Sequence, residues 1–346
     1  MTCCSDSEYM LHALALAEKA CGMTNPNPMV GAVLVRDGKI IGEGYHHKAG
    51  EAHAEVNAFA DAEQRNESTA GATLYVTLEP CSSYGRTPPC TERILKSEVK
   101  RVVIGCLDPN PKHNGRAVEI LEKAGIEVIS GVEEAACRRL NRAFFHWIST
   151  GKPWVVLKMA MTLDGKTAAP SGDAFWVTGE LARARVQELR RMSDAIMVGA
   201  NTVRIDHPKL NVRIPENWQR QPLRLVASGS MTCDELAGFF PDGNAEIVDP
   251  ATEGWQTFLE RLGKRNIMML LLEGGAELAG SALAADAVDH VEFHIAPKIL
   301  GGRNSHPAVG GKDPERMLDA LPLENVEYST FGDDFAVSGD LKKREK

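Results

Sequence analysis

Two consecutive α/β domains are what the sequence predicts, on three observations. The chain has 346 residues, and domains usually run about 100–200 residues. Short β-rich runs alternate with helix-forming stretches along its length, the pattern of layered α/β sandwiches. Ile267–Leu272 is apolar without interruption, as strands of a parallel sheet covered on both faces are.

In the first half, Leu11, Leu14, Leu16 and Ala17 fall near helical spacing and predict a helix over 7–22. The prolines of Asn25-Pro-Asn-Pro28 make a loop. Val30–Val35 and Ile40–Tyr45 read as strands joined at Asp37-Gly38, a hairpin turn. Helix formers run from His53 to Ala62. Ala72–Leu78 is β-rich, Thr91–Lys96 a short helix, and Val102–Cys106 a strand. Ala117–Ala124 reads as a helix closed by Gly125, Glu127–Ile129 as a strand, and Glu133–Trp147 as a helix. Ser149-Thr-Gly-Lys-Pro153 serves as a linker, which sets the expected domains at 1–148 and 149–346.

In the second half, strands are expected at Trp154–Met161, Ala195–Val198, Leu223–Ala227, Ile267–Leu272 and Val291–Ala296. Helices are expected at Glu180–Arg191 and Ala276–Ala284. The charged residues after Phe331 read as a solvated tail. No internal repeat or low-complexity tract is visible.

Composition narrows the function. Hydrophobic content of 43% and charged content of 25% are those of a soluble globular protein. A net charge of −8 argues against a general nucleic-acid binder. No run of 18 apolar residues predicts a spanning helix, and Met1–Met10 lacks the basic start and apolar stretch of a signal peptide. A cytoplasmic, reducing location is the expectation. The eight cysteines then read as free thiols or metal ligands. Cys3, Cys4, Cys21, Cys106, Cys137 and Cys233 lack a ligand-like context and read as packing or surface residues.

The other two cysteines carry the chemistry. His53-Ala-Glu55 is followed by Glu79-Pro-Cys81 and then Cys90. One imidazole and two thiolates make three zinc ligands and leave a fourth tetrahedral position for water. Bound there, water loses its proton near neutrality and becomes a nucleophile. Glu55, two residues from His53, can shuttle protons as the general acid/base. His-x-Glu alone is common by chance, and two cysteines nine positions apart are weak alone; the order of all the parts gives the signal. His46 or His47 could supply a fourth ligand and make the zinc structural.

The spacer Ser82-Ser-Tyr-Gly-Arg-Thr-Pro-Pro89 is longer than the Cys-x-x-Cys of many zinc deaminases. With Asn25-Pro-Asn-Pro-Met-Val-Gly31, Gly44-Tyr-His46 and Asp108-Pro-Asn-Pro111, the first half resembles the deaminase of the bifunctional riboflavin-biosynthesis deaminase/reductase family. The second half resembles that family's reductase through Lys158-x3-Thr-Leu-Asp-Gly165, Trp176-Val-Thr178 and Thr202-x3-Asp-x-Pro208. Leu272-Glu-Gly-Gly275 and Ala296-Pro-Lys298 add to it. The resemblance covers nearly the whole chain, in order.

It implies a cytidine-deaminase-like three-layer α/β/α domain followed by a dihydrofolate-reductase-like α/β domain. It implies zinc-dependent deamination of 2,5-diamino-6-ribosylamino-4(3H)-pyrimidinone 5′-phosphate, then reduction of the ribosyl group to ribityl with NADPH. One zinc per chain and a homo-oligomer, dimer or larger, go with it. His53, Cys81 and Cys90 would hold the metal, with Glu55 catalytic and Asn27 and His46 on the pyrimidine. Reductase substrate contacts would be Ala174, Arg190, Leu210, Arg213 and Glu273. Cofactor contacts would be Lys158, Ala160, Trp176, Thr202 and Asp206, with Gly275, Ala276, Glu277, Leu278, Ala279, Gly280 and Ser281. Two positions depart from the family: Ser83 stands where it usually has His, and Ala174 where it usually has Ser.

Physical readings run beside these. Hydride transfer asks the protein mainly to hold cofactor and sugar in register. The glycines after Leu272 open a helix whose amides can meet a phosphate, or make an ordinary strand–helix turn. Arg190 forks suit phosphate oxygens, or Arg190 shares a solvated helix face with Arg183, Arg185 and Arg191. Glu273 ends an apolar strand at the edge where α/β folds bind ligands. Lys158 on an apolar strand binds a ligand or pairs with a carboxylate. Two rival functions stay open: a nucleoside or nucleic-acid zinc deaminase with an unrelated C-terminal domain, and a zinc-stabilised binding protein. Acidity and the long spacer oppose the first, and Glu55 opposes the second.

Overall fold

The computed structural model describes residues 5–84, 88–111, 113–174 and 176–342. Cys3 and Cys4 lie outside the described residues, as do Gly85, Arg86 and Thr87 of the cysteine spacer. The chain divides into two units, Met1–Thr150 and Gly151–Lys346. Among the described residues no helix is long and apolar enough to cross a membrane.

The first unit runs α1 (Asp6–Glu18), β1 (Gly31–Arg36), β2 (Lys39–Tyr45), α2 (Ala54–Gln64), β3 (Thr73–Leu78), α3 (Cys90–Leu95), β4 (Arg101–Cys106), α4 (Arg116–Lys123), β5 (Glu127–Ser130), α5 (Glu134–Leu140) and α6 (Arg142–Thr150). Its sheet has the order β2-β1-β3-β4-β5. β1 is antiparallel to β2 and β3, whereas β3, β4 and β5 are parallel. Successive strand residues alternate between faces, and here both faces are apolar. Ala32, Leu34, Leu74, Val76, Val102 and Ile104 pack under α2, α3 and α4. Val33, Val35, Tyr75 and Val103 pack under α1 and α5. The result is the expected three-layer sandwich.

Two close approaches fix the layers. Ser5 and Glu8 cap α1 reciprocally. The β2 glycines let α2 lie directly on the strand backbone: a Cβ at Gly42 would come 2.4 Å from the Ala58 carbonyl oxygen, and one at Gly44 2.5 Å from the Ala58 nitrogen. The single helix expected over Glu133–Trp147 is broken at Asn141 into α5 and α6. The Asn141 side chain bonds both the amide and the carbonyl of Met29, at 2.8 Å each. Residues 149 and 150 of the expected linker finish α6.

The second unit runs β6 (Trp154–Thr162), β7 (Lys166–Ala168), α7 (Glu180–Met192), β8 (Ala195–Gly199), α8 (Ala200–Asp206), β9 (Leu223–Ala227), α9 (Cys233–Phe239), β10 (Ala245–Val248), α10 (Pro250–Glu253), α11 (Trp255–Lys264), β11 (Met269–Leu272), α12 (Ala276–Ala284), β12 (His290–Ala296), β13 (His306–Pro307), β14 (Leu323–Phe331) and β15 (Asp334–Leu341). The large sheet has the order β10-β9-β8-β11-β6-β12-β15-β14. Its first six strands are parallel; β15 and β14 are antiparallel. Val155, Leu157 and Leu270 join Phe258, Leu262, Ala279 and Ala282 in the main core. Lys158 and Glu292 come out on the opposite face.

The residues after Phe331 are a correction. Asp334–Leu341 form β15, the strand beside β12, rather than a solvated tail, and residues 343–346 lie outside the described residues. The Asp334 carboxylate is buried and accepts the Gly179 amide at 2.6 Å, and Ala336 is in the core. Charges at the turn and strand end hid a strand that lies between β12 and β14.

Candidate functional sites

Three ligand atoms meet in the first unit. The donor atoms of His53, Cys81 and Cys90 lie within 4.8 Å of one another, the one such group among the described residues that could hold a metal. His53 Nδ1 is 3.2 Å from Cys90 Sγ and 3.5 Å from Cys81 Sγ. Zinc bonds of about 2.3 Å to sulfur and about 2.0 Å to nitrogen put those atoms roughly 3.5 Å apart in a tetrahedron, so the residues fit zinc.

Local structure brings them together. His53 is the N-cap of α2 and Cys90 the first residue of α3. Cys81 turns back after β3 and Pro80, and its sulfur accepts the Cys90 amide at 3.2 Å. The Cys90 side chain, outweighing burial, and the His53 ring pull the Cys81 thiol down to about 4. Contact with Cys81 and burial push Cys90 far up. The hydrogen bond to Cys81 raises His53 against burial. A thiolate already held among the three donors is what a cation needs.

Glu55 is the second residue of α2, in its first turn, and is buried. Burial and the Cys81 charge push its carboxyl up to about 7. A cation at the three ligands would draw it down again. Either way it has the reach and proton affinity of a general acid/base.

His46 and Asn27 gather beside the metal ligands. Asn27 Nδ2 is 3.1 Å from His46 Nε2, and the His46 ring stands edge-on to His53 at 5.4 Å. His46 Nδ1 faces the Ala52 carbonyl at 3.0 Å. Burial lowers its pKa, which keeps the ring neutral. Glu79 takes a part that its place in the motif did not reveal. Its buried carboxylate accepts the amides of Asp108, Gly115 and Ala117 at 3.1, 3.0 and 2.9 Å. It ties the loop after β4 to the corner that carries Cys81.

The second unit holds a cleft of about 1000 Å³ at the carboxyl ends of its parallel strands, where open α/β sheets bind ligands. Lys158, Ala160, Ala174, Trp176, Arg190, Thr202, Asp206, Arg213 and Glu273 line it. So do Gly275, Ala276, Glu277, Leu278 and Ser281. Gly274 and Gly275 have φ of 124° and 82°, a turn that favours glycine; it delivers the α12 N-terminus to the cleft. Trp176 is 61% exposed, with the Arg183 guanidinium 4.4 Å from its ring centre. Burial raises the Asp206 carboxyl. Size, an amide-rich helix start and an aromatic platform fit a nicotinamide dinucleotide.

Leu210, Ala279 and Gly280 do not line the cleft. All three are buried. A Cβ on Gly280 would come 2.2 Å from the Gly310 carbonyl oxygen, so this glycine serves a tight packing contact. Arg190 is not on a solvated face: it is buried and forks onto Glu273. Ser228, Gly229, Ser230, Asp249 and Pro250 also line the cleft and were not foreseen. The first three follow β9, so the rule that ligands bind at strand carboxyl ends would have found them from Leu223–Ala227.

Two families match the chain. The cytidine and deoxycytidylate deaminase zinc-binding region matches residues 4–106, and the RibD C-terminal domain residues 153–337. The riboflavin biosynthesis protein RibD of Actinobacillus pleuropneumoniae is 41% identical, covering 95% of this chain and 94% of its own. That of Escherichia coli is 39% identical, covering 95% and 97%. Among solved structures, Acinetobacter baumannii RibD superposes with a TM-score of 0.87 at 37% identity, covering 97% of this chain and 99% of its own. A diaminohydroxyphosphoribosylaminopyrimidine deaminase/5-amino-6-(5-phosphoribosylamino)uracil reductase from Thermotoga maritima gives a TM-score of 0.85 at 36% identity, with coverage of 97% and 99%.

Proposed function

The chain belongs to the RibD family of riboflavin biosynthesis proteins, an enzyme with deaminase and reductase activities, and from that premise we propose which residues do the work. The first unit deaminates 2,5-diamino-6-ribosylamino-4(3H)-pyrimidinone 5′-phosphate, and the second reduces 5-amino-6-(5-phosphoribosylamino)uracil at its ribosyl group. The observation that carries this reading is the His53–Cys81–Cys90 cluster with Glu55 beside it.

His53, Cys81 and Cys90 would hold one zinc ion per chain, which would supply the Lewis acidity that eases loss of a proton from the attacking water. Glu55 takes that water's proton and delivers it to the departing amine, so water is consumed and ammonia released. Asn27 and His46 hold the ring edge, with the neutral His46 ring fixed through Ala52.

NADPH, held in the second unit's cleft, would supply the hydride. The protein's part is placement. Trp176 offers a flat surface to the cofactor, and the α12 start with Ser281 offers donors to its phosphates. Lys158, Ala160, Thr202 and Asp206 complete the cofactor wall. Arg213 meets the substrate phosphate, with Arg190 and Glu273 beside it. Leu210, Ala279 and Gly280 support this wall from behind.

Dimers or larger assemblies, small phosphorylated pyrimidines as ligands in place of nucleic acid, and a cytoplasmic location go with this reading; the free cysteines agree with a reducing compartment. The deciding experiment offers the phosphorylated diaminopyrimidinone with and without NADPH or NADH, and identifies products by mass. A change of about one mass unit marks amine replaced by oxygen, and a further gain of about two marks reduction. No ammonia from metal-replete protein would overturn the deaminase assignment.

A further inference from the structure

Five charged side chains form a row across the second unit. Parallel pairing sets Leu272 of β11 opposite Leu157 of β6, so Glu273 and Lys158 follow in step. On the other side, Glu292 of β12 is directly opposite Lys158. Each carboxylate is clasped by an arginine from α7. Arg190 donates to Glu273 at 2.6 and 2.7 Å, and Arg185 donates to Glu292 at 3.0 and 3.0 Å. His294 Nε2 adds a third contact to Glu292, at 2.8 Å.

Lys158, Arg190 and Glu273 line the cleft; Arg185, Glu292 and His294 do not. Glu292 and His294 are nonetheless buried and Arg185 is half-buried, an expensive arrangement unless the members compensate one another. Lys158 has no hydrogen bond from its ammonium to any described residue, yet it is buried. Burial presses it toward the neutral form, Glu273 and Glu292 oppose that, and Arg190 reinforces it.

We propose that Glu292, set opposite Lys158 across the β6–β12 pair and locked by Arg185 and His294, is a positioning residue for the reductase: it gives the Lys158 ammonium a second buried carboxylate, beside Glu273, in the cleft wall. The inference rests on the reductase reading of this unit, but its central claim concerns one lysine's charge and can be tested without any ligand. The titratable groups facing Lys158 are Glu273 from β11, Glu292 and His294 from β12, and Arg185 and Arg190 from α7. The β15 residue paired with Glu292 is Ser338, which carries no charge. His294 stays neutral because burial lowers its pKa, so it acts by hydrogen bonding. Glu273, forked by Arg190, opposes the effect of burial on Lys158 more strongly than Glu292 does, and Glu292 adds to it from the other side of the lysine.

The test is competitive labelling of the full chain with acetic anhydride across pH 6–11, with Lys158 acylation read by peptide mass spectrometry. In Glu292→Gln the inflection for Lys158 should move to lower pH by about one unit or more, and Glu292→Asp should bring it part of the way back. NADPH binding at pH 9 should weaken about tenfold in Glu292→Gln, while ammonia release stays unchanged. If Glu292→Gln does not fold, Arg185→Leu combined with Glu292→Leu removes the ion pair without leaving half of it buried, and a smaller downward shift is expected, because the lost guanidinium offsets part of the lost carboxylate. An unchanged inflection in a folded variant overturns the proposal, even if that variant melts earlier. Failure of the unsubstituted chain to bind or oxidise NADPH would instead overturn the reductase reading, leaving the labelling result to stand by itself.

Discussion

Arg190 and Glu273 close on each other through two hydrogen bonds of 2.6 and 2.7 Å inside the reductase cleft. The arginine best suited by sequence to a phosphate is thus already neutralised. Arg213 differs: its backbone amide bonds Gln187 at 2.7 Å, and its guanidinium pairs with no described residue. Arg213→Ala should therefore raise KM for the phosphorylated substrate tenfold or more, on the order of a charge-assisted hydrogen bond lost, without moving the melting temperature. Arg190→Ala should lose KM and stability together, by about 3–5 kcal/mol, because it strands Glu273. Steady-state kinetics and thermal melting on the same samples separate the two; equal stability losses would refute the distinction.

Glu55→Gln should keep its zinc and lose deamination by about 10²–10⁴-fold, the usual worth of a general acid/base. NADPH-dependent reduction of the deaminated intermediate should persist. Metal analysis, ammonia release and cofactor oxidation measure the three quantities. Loss of zinc along with activity would mean that Glu55 organises the site rather than moving protons.

Trp176 should report cofactor binding. Its ring is stacked on Arg183 and otherwise largely open to the cleft. Saturating NADPH should quench tryptophan emission, and Trp176→Phe should remove most of the quench despite the four other tryptophans among the five in the chain. An equal quench in the variant would move the cofactor elsewhere.

Acid should weaken the second unit through Glu292. Burial alone would raise its carboxyl, but His294 and Arg185 together hold it at about 2. In the unfolded chain it titrates near 4.5. The unfolded state therefore takes up the proton first as pH falls, and stability present above that value drains away toward pH 2. The full contribution is roughly 3 kcal/mol before any allowance for partial exposure. Glu292→Gln should flatten the dependence of melting temperature on pH between 5 and 3; an identical slope would deny the pair its role.

Sequence and structure part company in instructive places. His53, Glu55, Cys81 and Cys90 were legible because zinc chemistry restricts both residue type and order, and a long-range site still left a local motif. Arg185 was not. Beside Arg183, Arg190 and Arg191 it looks like one charge on a wet helix, and only the register of β12 reveals the carboxylate waiting for it. Glu292 and His294 alternate with Val291, Phe293 and Ile295, a pattern that reads as one wet face and one dry one. Their face is in fact covered by α7. The β14–β15 hairpin was hidden for a related reason, since its acidic turn outweighed Phe335, Ala336 and Val337 in composition. The short helices α9 and α10 gave no clear signal, whereas α11 carries Trp255, Phe258, Leu259 and Leu262 at helical spacing, a stripe that was legible and went unread.

The bare contact between α2 and the β2 glycines has a consequence for how such an enzyme can change. Glu55, and His53 at the N-cap, ride on a helix that touches β2 main chain at Gly42 and Gly44, while Ala58, Phe59 and Ala62 pack on side chains of the same core. At those two bare points no side chain can be exchanged to shift the helix, so they limit how far repacking of the rest can move it. New substrate preferences would come more readily from a surrounding loop such as 24–29, which can be rewritten while the seating of α2 on β2 is inherited intact.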